Sequence, residues 1–291
     1  MPAYEDFPAL FRAADTNSLK GQRHYLWATK CQLGALIAAA ALGVFSWQVN
    51  GADVAAAGSV VAFCTAVVTE VYLLKERPER MWYEGRAVAE SAKTLTWRYM
   101  VGGSPMGREE TSTETAAELL LTRFTEIETD VEAVWLVPDG GTPEQVTAEM
   151  TRVRQLSLDE RRAIYLRERI GNQREWYGAK SRWNERRSTM WSLTLTVLEL
   201  LGVSAGVMKV TGIVDVDLLG VCAALAAGGT AWVQTKQHKT LATAYAVARH
   251  ELATIAFRAQ QPVTEAEWAT FVANAEDAVS REHTLWRASH M

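Results

Sequence analysis

The stretch CQLGALIAAAALGVFSWQV, Cys31 to Val49, is followed by Asn50-Gly51-Ala52-Asp53 and then by VAAAGSVVAFCTAVVTEVYLL, Val54 to Leu74. These residues decide the fold. Cys31–Val49 and Val54–Thr69 contain no charged residue, whereas a helix on the surface of a soluble domain carries a polar face. The pattern recurs: Met190–Met208 and Val216–Gln234 are two further apolar arms around a short polar break beginning at Lys209. Each arm has roughly 17–21 mostly apolar residues, about 25–31 Å of helix, close to the ~30 Å hydrocarbon core of a bilayer. Both breaks share one grammar, with Gly51 and Gly212 suited to a helix C′ position and Asp53 and Asp215 suited to the next N-cap. The expectation is a duplicated two-helix membrane hairpin, with spans at 31–49, 54–74, 190–208 and 216–234. The rival is four buried helices of a soluble all-α domain.

The whole-chain average hides these arms. The 291 residues are 22% charged and the mean hydropathy is −0.07, because four apolar arms alternate with strongly charged segments. A net charge of −4 and a pI near 5.8 argue against a nucleic-acid footprint. Cys31, Cys64 and Cys222 all lie in apolar arms, form no CxxC pair and imply no disulfide framework. Glu5 and Asp6 make the start of the chain acidic, and no cleavage site follows the first arm. The first arm is therefore expected to remain as an anchor rather than to serve as a signal peptide.

Positive charge sets the expected orientation. Lys20, Arg23 and Lys30 precede the first pair of arms, and Lys75, Arg77 and Arg80 follow it. Arg182, Arg186 and Arg187 precede the second pair, and Lys236 and Lys239 follow it, while the two tips hold one lysine and three aspartates. The positive-inside rule places both termini and the central segment, near Gly140, in the cytoplasm and both tips outside an inner membrane. Trp27, Trp47, Trp191 and Trp232 sit near span ends, where aromatic belts form.

The remaining segments read as helices. Residues Trp82 to Trp97 extend the second span and end near Gly102-Gly103-Ser104-Pro105. A helix is expected over Thr115–Leu136, from Leu120, Phe124, Ile127, Val131 and Val134, followed by a loop at Pro138–Gly141. Capping-box spacings at Thr142–Gln145, Ser157–Glu160 and Thr264–Glu267 open three more helices. The second of these runs toward the third span, with a break at Gly171-Asn172. The last carries Trp268, Phe271, Val272, Ala275, Val279, Glu282 and Trp286 on one face. The fold class is all-α: four transmembrane helices in two hairpins, with a cytoplasmic helical bundle. Two two-span units are expected, 1–136 and 137–291.

Catalytic motifs are missing. His250-Glu251 lacks a second histidine at zinc-protease spacing, and no P-loop or nucleophile elbow is present. No enzyme, cofactor or metal is expected. Glu199, near the middle of the third arm, stands out. A charge there costs on the order of 3 kcal/mol, so it either locks helices together or lines a polar path. Glu70, a turn from Lys75, is the second candidate for a pore or gate, against simple snorkelling to the interface. Ala39 and Gly43, and Gly220, Ala224 and Gly228, repeat at four-residue spacing, as at close helix contacts within one chain or between subunits.

Before the first hairpin stand Phe7-Pro8-Ala9-Leu10-Phe11-Arg12-Ala13-Ala14-Asp15, Ser18, Gln22 and Tyr25. Before the second stand Tyr165-Leu166-Arg167-Glu168-Arg169-Ile170, Gln173, Trp176-Tyr177 and Lys180. Arg86, Glu90 and Trp97 follow the first hairpin, and Tyr245 and Glu251 follow the second. This order resembles the SLATT proteins, two-transmembrane effector domains of bacterial conflict systems, here as two subtypes in tandem. The resemblance implies a homo-oligomeric effector in defence against phages or other invaders, which forms a pore or otherwise perturbs the membrane. Its implied partners are membrane lipid, other copies of itself, and a nucleotide second messenger or the sensor of one. Two other readings stay open: a membrane scaffold recruiting cytoplasmic partners, and a ligand sensor with a pocket lined by Arg86, Trp97, Arg169 and Trp176.

Overall fold

The computed structural model describes residues 3–129 and 143–288. Helices α1 (Ala9–Gly43), α2 (Val54–Glu76) and α3 (Pro78–Val101) are followed by α4 (Thr113–Thr129). Next come α5 (Ala148–Gln155), α6 (Leu158–Ile164), a π-helical segment (Tyr165–Gly171) and α7 (Asn172–Val210). The chain continues with α8 (Leu218–Lys236), α9 (His238–Arg258) and α10 (Glu265–Ala288). The fold is all-α, and four of its helical stretches are long and apolar enough to cross a membrane.

The spans differ from expectation at the ends next to the two polar breaks. α1 stops at Gly43, six residues short of Val49, because the tip is gathered around Asp53 instead. The Asp53 carboxylate accepts from Ser46 Oγ (2.7 Å) and Trp47 N–H (3.2 Å), and it caps α2 through Ala55 and Ala56 N–H. Residues 48–49 (β1) and 52–53 (β2) pair antiparallel across Asn50-Gly51. Both turn residues have positive φ, as a two-residue hairpin of this hand requires, so Gly51 serves that turn and not a helix C′. Gly212 does take the C′ role. Its N–H donates to Lys209 O and that of Ile213 to Met208 O, the paired bonds of a Schellman motif. The N-cap of α8 is Asp217, which accepts from Gly220 N–H, and not Asp215.

Both outgoing spans end the same way. Arg77 and Gln237 adopt the left-handed conformation, and their N–H groups bond Leu73 O and Val233 O. α3 and α9 follow at once. Ser157–Glu160 and Thr264–Glu267 form the reciprocal bonds of capping boxes. Of the box expected at Thr142–Gln145, Thr142 lies outside the described residues, and Pro143–Gln145 do not start a helix. Gln145 Oε1 instead accepts from Leu10 N–H and Glu144 O from Ala9 N–H, which caps the start of α1, and α5 begins later under Thr147. The break expected at Gly171-Asn172 is absorbed as the π-helical segment, so helix continues from Leu158 to Val210. The loop at Pro138–Gly141, the end of the Thr115–Leu136 helix and the 136/137 boundary lie outside the described residues.

The chain divides into two compact units, each drawing on both halves of the sequence. The spanning unit holds Arg23–Pro78 and Lys180–Ala244. Within it α1 meets α2 where Ser59 Oγ donates to Ala39 O (2.7 Å). Leu, Val and Phe side chains such as Val60, Phe63, Val68, Leu193, Leu200 and Val203 lie exposed on its outside, as lipid-facing residues would. The bundle unit holds Met1–Gln22, Glu79–Ala179 and Tyr245–Met291. Its core joins Phe7, Phe11, Trp97, Leu120, Met150, Tyr165 and Trp268. The C-terminal carbonyls of α3 are satisfied by buried side chains: Arg154 donates to Tyr99 O (2.9 Å), and Arg161 and the Trp268 indole donate to Val101 O.

Candidate functional site: a cavity in the bundle unit and a mid-span carboxylate

Spacing along three elements builds a cavity of about 390 Å³ inside the bundle unit. Arg86, Glu90, Lys93 and Trp97 fall at intervals of four, three and four residues on α3, so they share one face. Glu168 and Arg169 come from the π-helical segment, and Asn172, Gln173 and Trp176 from the first turns of α7. Tyr4, Phe7, Phe11 and Asp15 close the remaining side. A π-helical turn is a rare departure from regular helix and concentrates at functional positions.

The floor is a buried ion pair. Arg169 is 2% exposed and Glu276, from α10, is 0% exposed. Arg169 Nε and Nη2 donate to the two Glu276 oxygens at 3.0 and 2.7 Å. Tyr165 Oη and Thr94 Oγ1 add bonds of 2.9 and 3.0 Å to the same carboxylate. Burial pulls the Arg169 guanidinium down, but Glu276 outweighs it and holds the group firmly charged. Burial, followed by the adjacent Glu276 charge, pushes the Tyr165 phenol well above its usual range. The buried Arg169 Nη1 and Trp97 Nε1 have no hydrogen-bond partner among the described residues.

Arg86 Nη2 meets Glu90 Oε1 at 2.9 Å. Burial lowers the Arg86 guanidinium, and Glu90, Tyr245, Tyr177 and Asp15 more than offset that. Lys93 Nζ lies 5.7 Å from the centre of the Phe11 ring. Burial pulls this ammonium below the usual lysine range. Glu90 opposes the shift, and the positive charges of Arg169 and Arg86 reinforce it.

Of the residues singled out from the sequence, Arg86, Glu90, Trp97, Arg169, Gln173 and Trp176 come together around this cavity. Gln22, Tyr25 and Tyr177 do not line it. Tyr177 is buried beside it, with its ring 5.2 Å from Trp176 and 5.6 Å from Tyr245. Phe11 belongs to the Phe7–Asp15 stretch noted in the sequence, whereas Lys93 and Glu276 were not singled out. The signal for Lys93 was its place on the Arg86–Trp97 face. Glu276 carried none, because its partner is more than a hundred residues away.

In the spanning unit Glu199 is exposed on α7, and so are Ser192 and Thr196, seven and three residues earlier on the same face. Glu70 is exposed on α2. Ala39 and Gly43 face Ser59 of α2, and a Cβ on Gly228 would stand 2.7 Å from Ile37 of α1, so these small residues serve contacts within one chain. A Cβ on Gly220 would meet the carboxylate of its own N-cap, Asp217, and Ala224 is half-buried on α8. Among the described residues no cluster of His, Cys, Asp and Glu could hold a metal ion.

These features define a multi-pass membrane protein with an all-α bundle. Residues 8–162 match SMODS and SLOG-associating 2TM effector domain 3, and residues 165–286 match domain 1 of the same series. The chain therefore belongs to the SLATT family, with two of its domains in tandem, and such domains are effectors of conflict and defence systems. Neither match indicates an enzyme family. No curated protein and no solved structure matches the chain.

Proposed function

We propose that the chain is a prokaryotic defence effector that oligomerises in the inner membrane and, when triggered, opens a cation-conducting path lined by Glu199. The observation that carries this is the direction in which Glu199 points. It lies nine residues from either end of the 190–208 arm, about 13 Å of helix on each side, and it faces outward from the chain. Facing lipid it costs on the order of 3 kcal/mol per subunit. Facing the same stripe of neighbouring copies around water, it keeps its hydration and attracts cations. Thr196 Oγ1 bonds back to Ser192 O, which leaves its oxygen lone pairs available to a hydrated path. The Lys/Arg bias around both pairs of spans supports cytoplasmic termini and a cytoplasmic bundle, in reach of a nucleotide messenger or its sensor.

Overexpression raises subunit density in the membrane and should depolarise cells, as read by a potential-sensitive dye. Glu199→Gln should reduce depolarisation while insertion and cross-linked oligomers persist. Equal depolarisation by the variant, or a monomer in every lipid tested, would sink the proposal.

A further inference from the structure

We propose that the cavity of the bundle unit binds a small organic anion that combines an aromatic ring with a phosphate or carboxylate group, with Lys93, Arg169 and Trp97 taking the anionic group. The inference does not depend on whether the chain conducts ions.

The lining carries acids and bases together, Asp15, Glu90 and Glu168 beside Arg86, Lys93 and Arg169. Its acids have donors: Glu90 holds Arg86, Glu168 holds Arg167 at 2.6 Å, and Asp15 accepts from Tyr4 Oη. Three donor side chains of the lining are short of acceptors. Arg169 Nη1 and Trp97 Nε1, on side chains each 2% exposed, are buried without a partner among the described residues. Lys93 has no hydrogen bond or ion pair there either; it lies over Phe11, with Glu90, Arg169, Arg86 and Asp15 as the charges around it. An acceptor bearing negative charge, placed between them, would meet all three. A metal cation or an ammonium ligand would leave these donors as they are.

The rest of the lining describes the body of the ligand. Phe7, Phe11 and Trp176 present aromatic surface, on which a planar ring stacks and an aliphatic chain gains less. A volume of about 390 Å³ is at the small end of ligand sites and suits a single ring system with one charged group. The π-helical segment supplies the means of response. It carries Glu168 and Arg169, and it lies in the same unbroken helix that becomes the third span. A ligand that engages Arg169 therefore acts on a segment already out of regular register.

The test is calorimetric titration of the full chain in nanodiscs with phenyl phosphate, phenylacetate, adenosine 5′-monophosphate and inorganic phosphate. At least one aromatic anion should bind once per chain, tenfold or more tighter than inorganic phosphate. Binding of adenosine monophosphate points to a nucleotide source, and binding of the phenyl compounds alone to another aromatic anion. Lys93→Gln should weaken binding at least tenfold with an unchanged melting temperature, and Lys93→Arg should restore most of it. Trp176→Ala should weaken the aromatic anions and leave inorganic phosphate alone. The proposal fails if no aromatic anion binds, or if Lys93→Gln binds like wild type. Loss of conductance in Glu199→Gln with binding intact would leave it standing.

Discussion

Replacing Glu276 with glutamine should be among the most damaging single changes in the bundle unit. The carboxylate is fully buried and accepts four bonds, two from Arg169 and one each from Tyr165 and Thr94. An amide keeps one acceptor and turns an NH₂ toward donors, leaving Arg169 charged, buried and without its counter-ion. Breaking one side of such a pair costs about 3–5 kcal/mol. The unit has roughly 170 residues, for which each kcal/mol moves the midpoint about 2–4 °C, so a fall of about 6–20 °C is expected. The assay is a melt in nanodiscs, with hydrogen exchange read on peptides from α3 and α10 to assign the transition to this unit. Glu276→Leu combined with Arg169→Met should recover much of the loss, since it removes both charges and leaves only the Tyr165 and Thr94 hydroxyls to satisfy, at about 1–3 kcal/mol each when left unmade. A fall under about 2 °C for Glu276→Gln, or a double variant as unstable as the two single changes combined, would refute the pair as the link between α3, the π-helical segment and α10.

Gly85 lets α3 cross α1 closely: a Cβ there would stand 3.0 Å from Ala14 O and Ser18 N, backbone atoms that cannot turn aside. Gly85→Val should therefore cost about 1–3 kcal/mol, seen as a lower melting midpoint of the bundle unit, and a neutral result would contradict the crossing. Asp53 is held below the usual carboxylate range, first by Ser46 and then by the N–H groups of Ala56 and Trp47. A depressed folded value means the stabilisation is present above pH 3.8 and is lost as pH falls through the folded value; Asp53→Asn should flatten that acid limb in a pH-dependent melt. In a background without Cys31, Cys64 and Cys222, cysteines at Ala52 and Thr211 should react with an impermeant thiol reagent in whole cells, and one at Glu110 only after lysis. Labelling of Glu110→Cys in intact cells, with the tips protected, would invert the topology.

The sequence by itself determined the four apolar arms, their approximate limits and the all-α class. Those properties depend on the composition of contiguous segments and on helix geometry, and both are local. One open reading offered a pocket lined by Arg86, Trp97, Arg169 and Trp176, residues marked by the family resemblance, and those four do line the cavity. Only the tertiary structure decided what those residues meet. Glu276 pairs with Arg169 across 107 positions, and Gln145 caps α1 across 135 instead of opening its own helix. Arg154 and Arg161 are buried because the open carbonyls of α3 need donors. The C-terminal limit of α1 was set by a carboxylate too, since Asp53 draws Ser46 and Trp47 into a tip that helix would have kept apart. In each case a polar group had to be satisfied by a partner distant in sequence, and segment composition carries no record of such partners.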